Sequence, residues 1–215
     1  MKFLFEKIKN YKKNGGMTYV ELIVVLGIFA IITGVSLFNY KNFQAKVDIK
    51  NLANDMALKI VEAQKDSIAG KIPFGKIPQD PETWKPSYGV FFDSSLDPYT
   101  AFYYFTDLIS DKKFDGITIP CASGGGSNGE CLDVINITKG NSISGIQYYL
   151  IGDDSEYTAN GGFSITFTRP DFGATFALNN AVLPNIDRAE IWVYSPGLTA
   201  YSIITVHSSG RIEIN

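Results

Sequence analysis

A chain of 215 residues, 45% hydrophobic and 19% charged, has room for one apolar anchor and one compact core. Its formal charge of −3 hides an asymmetry: residues 1–16 hold five Lys and one Glu, and removing them from 19 basic and 22 acidic side chains leaves 14 and 21, a net of −7. An acidic remainder argues against general, charge-driven binding of nucleic acid, and one His with two Cys leaves little for metal or redox chemistry.

The chain opens on a basic segment, Met1 to Asn14, followed by Gly15-Gly16. From Leu22 to Phe38 no charged residue occurs, and only Thr33 and Ser36 are polar. With Val20 before it, that run matches the roughly 20 residues a helix needs to cross a bilayer. The basic start predicts a cytoplasmic N-terminus and a C-terminal part outside the cytoplasm. An ordinary secretory signal is cut after its apolar stretch, whereas the only small-residue site here, Gly15-Gly16, precedes it. Cutting there removes the basic leader and keeps the helix.

Glu21 stands alone at the mouth of the apolar run. Insertion scales put the burial of an Asp at a helix centre at roughly 2.5 to 3.5 kcal/mol, so the carboxylate requires a partner, and none is expected nearby. Cleavage after Gly16 creates one, because Met17 then carries a free amine four residues earlier, able to meet the Glu21 of an adjoining subunit. Gly27 and Gly34 are either points of close helix approach or incidental small residues.

Gly16-Met17-Thr18-Tyr19-Val20-Glu21 followed by this apolar run resembles the class III signal of type IV prepilins and type II secretion pseudopilins. The resemblance implies that a prepilin peptidase cuts between Gly16 and Met17 and N-methylates Met17, and that Glu21 sets subunit register in a filament. Two features depart from the pattern. Met17 stands where Phe is usual, and no Pro precedes Pro73, so the stalk is expected to run unbroken, as in a minor pilin or pseudopilin.

Beyond the span, which we place at residues 17–40, an amphipathic continuation is expected over 41–70. Phe43, Val47, Leu52, Met56, Ile60 and Ala63 form its apolar stripe, with Lys46, Lys50, Asn54, Lys59 and Glu62 on the other face. Lys41, Lys46 and Lys50 suit either solvent or lipid headgroups. Gly70 and Pro73 end the helix, about 50 residues and about 75 Å long at 1.5 Å per residue.

A proline-rich loop with Pro73, Pro78, Pro81 and Pro86 leads into period-two patterning over residues 71–215. Strands are predicted at 88–93, 101–106, 146–151, 163–168, 174–178, 190–194, 201–206 and 211–214. The last two form a hairpin through His207-Ser208-Ser209-Gly210. Without alternating strands and helices, the fold class is α+β: a long N-terminal helix packed on an antiparallel sheet domain, the outline of a pilin. Trp84 to Phe92, Phe167 to Gly173 and Ser209 to Ile212 are similar to segments of GspH/FimT-type minor pilins. Trp84, Tyr99, Tyr148 and Trp192 are candidates for an adhesive or stacking surface, but most of them are expected in the core.

Cys121 and Cys131 bracket a glycine-rich tip, 122–130. Outside the cytoplasm they are expected to form a disulfide worth about 2 to 3 kcal/mol in the chain-entropy model. A metal site needs more ligands than two Cys and His207, and a redox pair prefers tighter spacing. No Lys-Ser or Lys-Thr follows the glycines, so they are not read as a phosphate cradle. Asp153, Asp154 and Glu156 are read as an acidic turn rather than a Ca²⁺ site. His207 and the adjoining Ser208 and Ser209 are read as turn residues, with no catalytic or cofactor role.

Two functional classes remain. In the first, the chain is a structural subunit of a type IV pilus or a type II secretion-like filament. The resemblance then implies as partners a prepilin peptidase, other pilins, and an inner-membrane platform driven by a cytoplasmic ATPase. In the second, the helix only anchors a β domain that binds a ligand at the surface.

Overall fold

The computed structural model describes residues 16–73, 82–85, 87–93, 100–115, 121 and 129–215, without the side chains of 37–39, 41 and 42. The leader before Gly16, Tyr99, Pro78, Pro81, Pro86 and the glycine-rich 122–128 lie outside these. The chain divides into two units, one ending at Lys41 and one running from Asn42 to Asn215.

In the first unit the helix α1 (Tyr19–Ile68) begins. Its stretch Tyr19–Ser36 is long and apolar enough to cross a membrane, and none of that window is buried. A membrane anchor and a signal sequence both meet that description.

The second unit is α+β, and every strand pairing among its described residues is antiparallel. The strands are β1 (Ser87–Asp93), β2 (Ala101–Thr106), β3 (Cys131–Asn136), β4 (Ser142–Leu150), β5 (Asp153–Thr158), β6 (Gly162–Thr168), β7 (Ala174–Leu178), β8 (Ala181–Leu183), β9 (Ile186–Tyr194), β10 (Tyr201–His207) and β11 (Ile212–Ile214). They make two sheets, not one: six strands in the order β3-β2-β1-β6-β7-β8, and five in the order β11-β10-β9-β4-β5. The predicted β10–β11 hairpin is present, pairing Ile204 with Ile214 and Val206 with Ile212.

One core joins the outer half of α1 to the inner faces of both sheets. Ile49, Ala53, Met56, Ile60 and Ala63 meet Phe92, Phe163 and Phe167 of the larger sheet and Ile146, Ile191 and Ile204 of the smaller. The stripe therefore starts at Ile49, which corrects the expectation that it starts at Phe43. At about 100° per residue, Val47 points about 180° away from Met56 and Phe43 about 140° away. Phe43 is accordingly 66% exposed and Val47 38%. The spacing 49, 53, 56, 60, 63, alternating four and three, keeps one face inward.

Polar contacts fix the helix against the sheets. Tyr104 donates its hydroxyl to Asp66 Oδ2 at 2.8 Å, Tyr88 donates to the Lys71 carbonyl at 2.7 Å, and Lys71 pairs with Asp66. Burial, reinforced by Asp66, raises both phenols, Tyr88 to about 12. Gln64 donates Nε2 to the carbonyls of Phe172 (2.9 Å) and Gly210 (3.1 Å), tying α1 to two loops. At Gly89 the larger sheet leaves no room for a side chain: a Cβ would sit 2.7 Å from the Phe105 ring and closer still to the Ile165 carbonyl.

A second, smaller core contains Phe105, Phe114, Tyr103 and Cys131, with Phe91 against it. Phe114 lies 4.6 Å from Phe91 and 5.0 Å from Phe105, centroid to centroid.

Candidate functional site

The structure assembles the start of α1 as a reciprocal cap. Thr18 is the residue before the first helical turn, and both its N–H and its hydroxyl donate to Glu21 Oε2 at 3.1 Å. Glu21 N–H in turn donates to Thr18 Oγ1 at 3.3 Å. Two backbone donors that a helix start leaves unmade are thereby satisfied, and the acid sits at the positive end of the helix dipole. Thr18 thus gives Glu21 a neutral hydrogen-bond partner, and among the described residues no cation pairs with its charge. Thr-x-x-Glu before an apolar run is a sequence sign of this cap, and it was legible at Thr18-Tyr19-Val20-Glu21.

Gly16 and Met17 precede the helix without regular structure, and Met17 is 59% exposed. The bond between them lies in the kind of segment a protease can reach. Gly15 lies outside the described residues. A Cβ at Gly27 or Gly34 would meet nothing within 4 Å, and Leu22, Ile28 and Ile32 are each about half exposed or more.

The second cluster is the Cys121–Cys131 disulfide, whose Cα atoms are 5.3 Å apart. Beside it, buried Glu130 accepts the Leu108 N–H (3.0 Å) and the Asp115 N–H (2.9 Å). Asp107, also buried, accepts four N–H groups from Ile109, Ser110, Asp111 and Lys112, at 3.1, 2.7, 3.4 and 2.8 Å. The two carboxylates hold the loop 107–115, whose Phe114 is buried in the smaller core. Burial pushes Glu130 up to about 7 against the opposing N–H bonds, with the charges of Asp107 and Asp115 adding to the rise. Asp107 is also pushed up by burial. Each carboxylate spends its lone pairs on backbone donors, so this arrangement holds a loop in place. Lys113 sits between Asp111 and Asp115, 3.0 Å from each.

Other predicted residues fall elsewhere. Asp153, Asp154 and Glu156 are not a turn but part of β5, an edge strand; the turn is made by Ile151 and Gly152, with Gly152 at φ 77°. Charged side chains suit an exposed edge because they discourage further pairing. Among the described residues, no three His, Cys, Asp or Glu come together as a metal-holding group. His207 ends β10 and approaches Arg211 at 3.1 Å and Glu213 at 3.5 Å. Lys46 and Lys50 are exposed on α1, flanking a shallow groove with Tyr201 and Asn215.

Of the aromatic residues assigned to the core, Tyr148 packs against it, 6.4 Å from Phe163. Trp84 is half-buried and donates Nε1 to the Asp107 carbonyl at 2.7 Å. Trp192 is not a core residue. Alternation along β9 turns Ile191 and Val193 inward and Trp192 outward, onto the outer face of the smaller sheet.

No family model, curated protein or solved structure matches the chain.

Proposed function

We propose that the chain is a pilin-like filament subunit, of minor-pilin or pseudopilin type, processed between Gly16 and Met17 and assembled through α1. The observation that carries this reading is Glu21, the one charged residue in an otherwise apolar, unburied helical stretch, placed just after an exposed glycine bond. Support also comes from the outer half of α1 forming one core with antiparallel sheets, which fits a pilin fold.

The proposed mechanism follows from the cap. Thr18 turns the Glu21 carboxylate back over the helix start, one residue from the Met17 nitrogen. Hydroxyl and amide donors engage Oε2 but leave the charge of the carboxylate unbalanced. Prepilin peptidase supplies the missing positive charge by freeing the Met17 amine. In the membrane that amine neutralises its own chain's carboxylate; in the filament the amine of an adjoining subunit takes its place. Apolar helices then replace lipid around Tyr19–Ser36. The assembly platform and its ATPase supply the work of extraction, and the finished protein resides in the inner membrane or the filament.

Glu21→Ala tests this in cells. The expected outcome is normal membrane insertion with loss of the chain from sheared surface filaments. Undiminished incorporation of the variant contradicts the pairing.

A further inference from the structure

The five-stranded sheet has a second face that the core does not use. Pairing of β9 with β10 sets Tyr194 opposite Tyr201, with Trp192 on the next outward position of β9. The three rings stack nearly parallel: centroids are 5.6 Å apart for Tyr194 and Tyr201, 5.8 Å for Trp192 and Tyr201, and 6.4 Å for Trp192 and Tyr194, with planes 17° to 29° apart. Tyr201 is 60% exposed.

Beside this row lies a cleft of about 440 Å³, lined among others by Gly145, Gln147, Tyr149, Glu156, Trp192 and Tyr194. That size falls within the roughly 300–1,000 Å³ of small-molecule sites. Its floor is made by a bulge: the register of β4 against β9 shifts between Ile143 and Gly145, and Gly145 stands opposite Trp192. A Cβ on Gly145 would meet nothing within 4 Å, so the glycine leaves open space where a side chain would fill it.

Two polar atoms of the lining residues are buried without a hydrogen-bond partner among the described residues: Trp192 Nε1, a donor, and Gln147 Oε1, an acceptor. Buried polar groups are rarely left unmatched, and each such atom calls for an explanation. The arginines on this face are already engaged. Arg188 lies 3.3 Å from both Asp187 and Glu190 and stacks over the Tyr149 ring at 3.9 Å, and Arg211 pairs with Glu213 at 3.2 Å.

These features narrow the ligand chemistry. An anion meets Glu156 in the cleft and cations that are already engaged, which disfavours phosphates and nucleic acid. A wholly apolar ligand leaves the indole N–H and the amide oxygen unmatched. A pyranose satisfies both demands, because its C–H face stacks on an aromatic ring and each hydroxyl donates and accepts hydrogen bonds. We propose that the outer face of the five-stranded sheet binds a neutral pyranose glycan, with Trp192 as the stacking surface and Trp192 Nε1 and Gln147 Oε1 as polar contacts.

The test uses the full chain in a detergent without a sugar headgroup. Trp84→Phe leaves Trp192 as the only tryptophan, so its fluorescence reports on this face. The probes are maltohexaose, cellohexaose and the single strand dT12. A saturable change with at least one hexasaccharide is expected, at least tenfold weaker in Gln147→Leu, in line with a lost hydrogen bond. In calorimetry on the otherwise native chain, Trp192→Ala abolishes binding, and Trp192→Phe, which keeps an aromatic face without the N–H, weakens it about tenfold. Melting curves of the two Trp192 variants establish that they remain folded. No titration by either hexasaccharide up to about 10 mM, or binding unchanged in folded Trp192→Ala, overturns the proposal. Binding of dT12 in preference to both sugars overturns it too and reassigns the face to nucleic acid.

Discussion

Thr18 and Glu21 satisfy each other's backbone: the Thr18 N–H reaches Glu21 Oε2 at 3.1 Å, and the Glu21 N–H reaches Thr18 Oγ1 at 3.3 Å. The contact gives Glu21 two separable properties, its shape as a cap and its charge. Glu21→Gln keeps the first and removes the second, because Gln also serves at this position of a capping box. In micelles, Glu21→Gln is expected to leave amide protection near Leu22 unchanged. Thr18→Ala is expected to lower it by an amount corresponding to about 1 kcal/mol. If Glu21→Gln alone frays the helix start, the cap depends on charge and the separation fails.

The Cys121–Cys131 bridge closes a short loop beside the smaller core. Non-reducing peptide mapping of exported protein is expected to recover the two cysteines joined. Cys121→Ser with Cys131→Ser is expected to lower unfolding free energy by about 2 to 3 kcal/mol in denaturant titration. Two free thiols in protein isolated without reductant contradict the staple.

The pH dependence of stability reports on Glu130. Burial raises its folded value to about 7, above the ordinary carboxylate range. Between those values the folded chain holds a proton that the unfolded chain has lost. The contribution is therefore greatest at low pH and lost as pH rises through about 7. Asp107 shifts in the same direction. Asp48, held down by its bond to Lys139, acts in the opposite sense, but only near and below the ordinary carboxylate range. The melting midpoint is expected to fall from about pH 5 to about pH 8.5, by about 2 to 4 °C for each kcal/mol. Glu130→Gln flattens the curve; a midpoint that rises over this window refutes the assignment.

Gly89 tests the larger sheet. A Cβ there presses on the Phe105 ring and the Ile165 carbonyl, and the backbone carbonyl cannot swing away. Gly89→Ala is expected to destabilise the fold by about 1 to 3 kcal/mol in denaturant titration, the range for overpacking. An unchanged midpoint means β1 and β6 are further apart than described.

Much of this architecture was legible in the sequence because its signals are local. Eight strands carry dense β-branched and aromatic residues, and Gly70 with Pro73 marks the helix end near Ile68. What stayed hidden depends on partners distant in sequence. β5, Asp153-Asp154-Ser155-Glu156-Tyr157-Thr158, has poor strand composition and is a strand through pairing with β4, which sets Tyr157 against Tyr148. β3 begins at Cys131 and carries Asp133, so its pairing with β2 outweighs its polarity. Aromatic richness does not say which face of a strand meets a core, so the outward placement of Trp192 was not legible. The division into two sheets follows from β1 pairing with β6, and β4 with β9, across long intervening segments. At the N-terminus Gly16, Met17 and Glu21 are conspicuous by residue type, whereas Thr18 is a common polar residue that only its spacing from Glu21 marks as the cap.

The most direct test of the account is the mass of the mature N-terminus, measured on native protein from the membrane fraction and from any sheared surface fraction that sediments. The predicted chain begins at N-methylated Met17 and lacks the residues through Gly16. A native protein that still carries its lysine-rich first 16 residues, and never sediments with filaments, contradicts it.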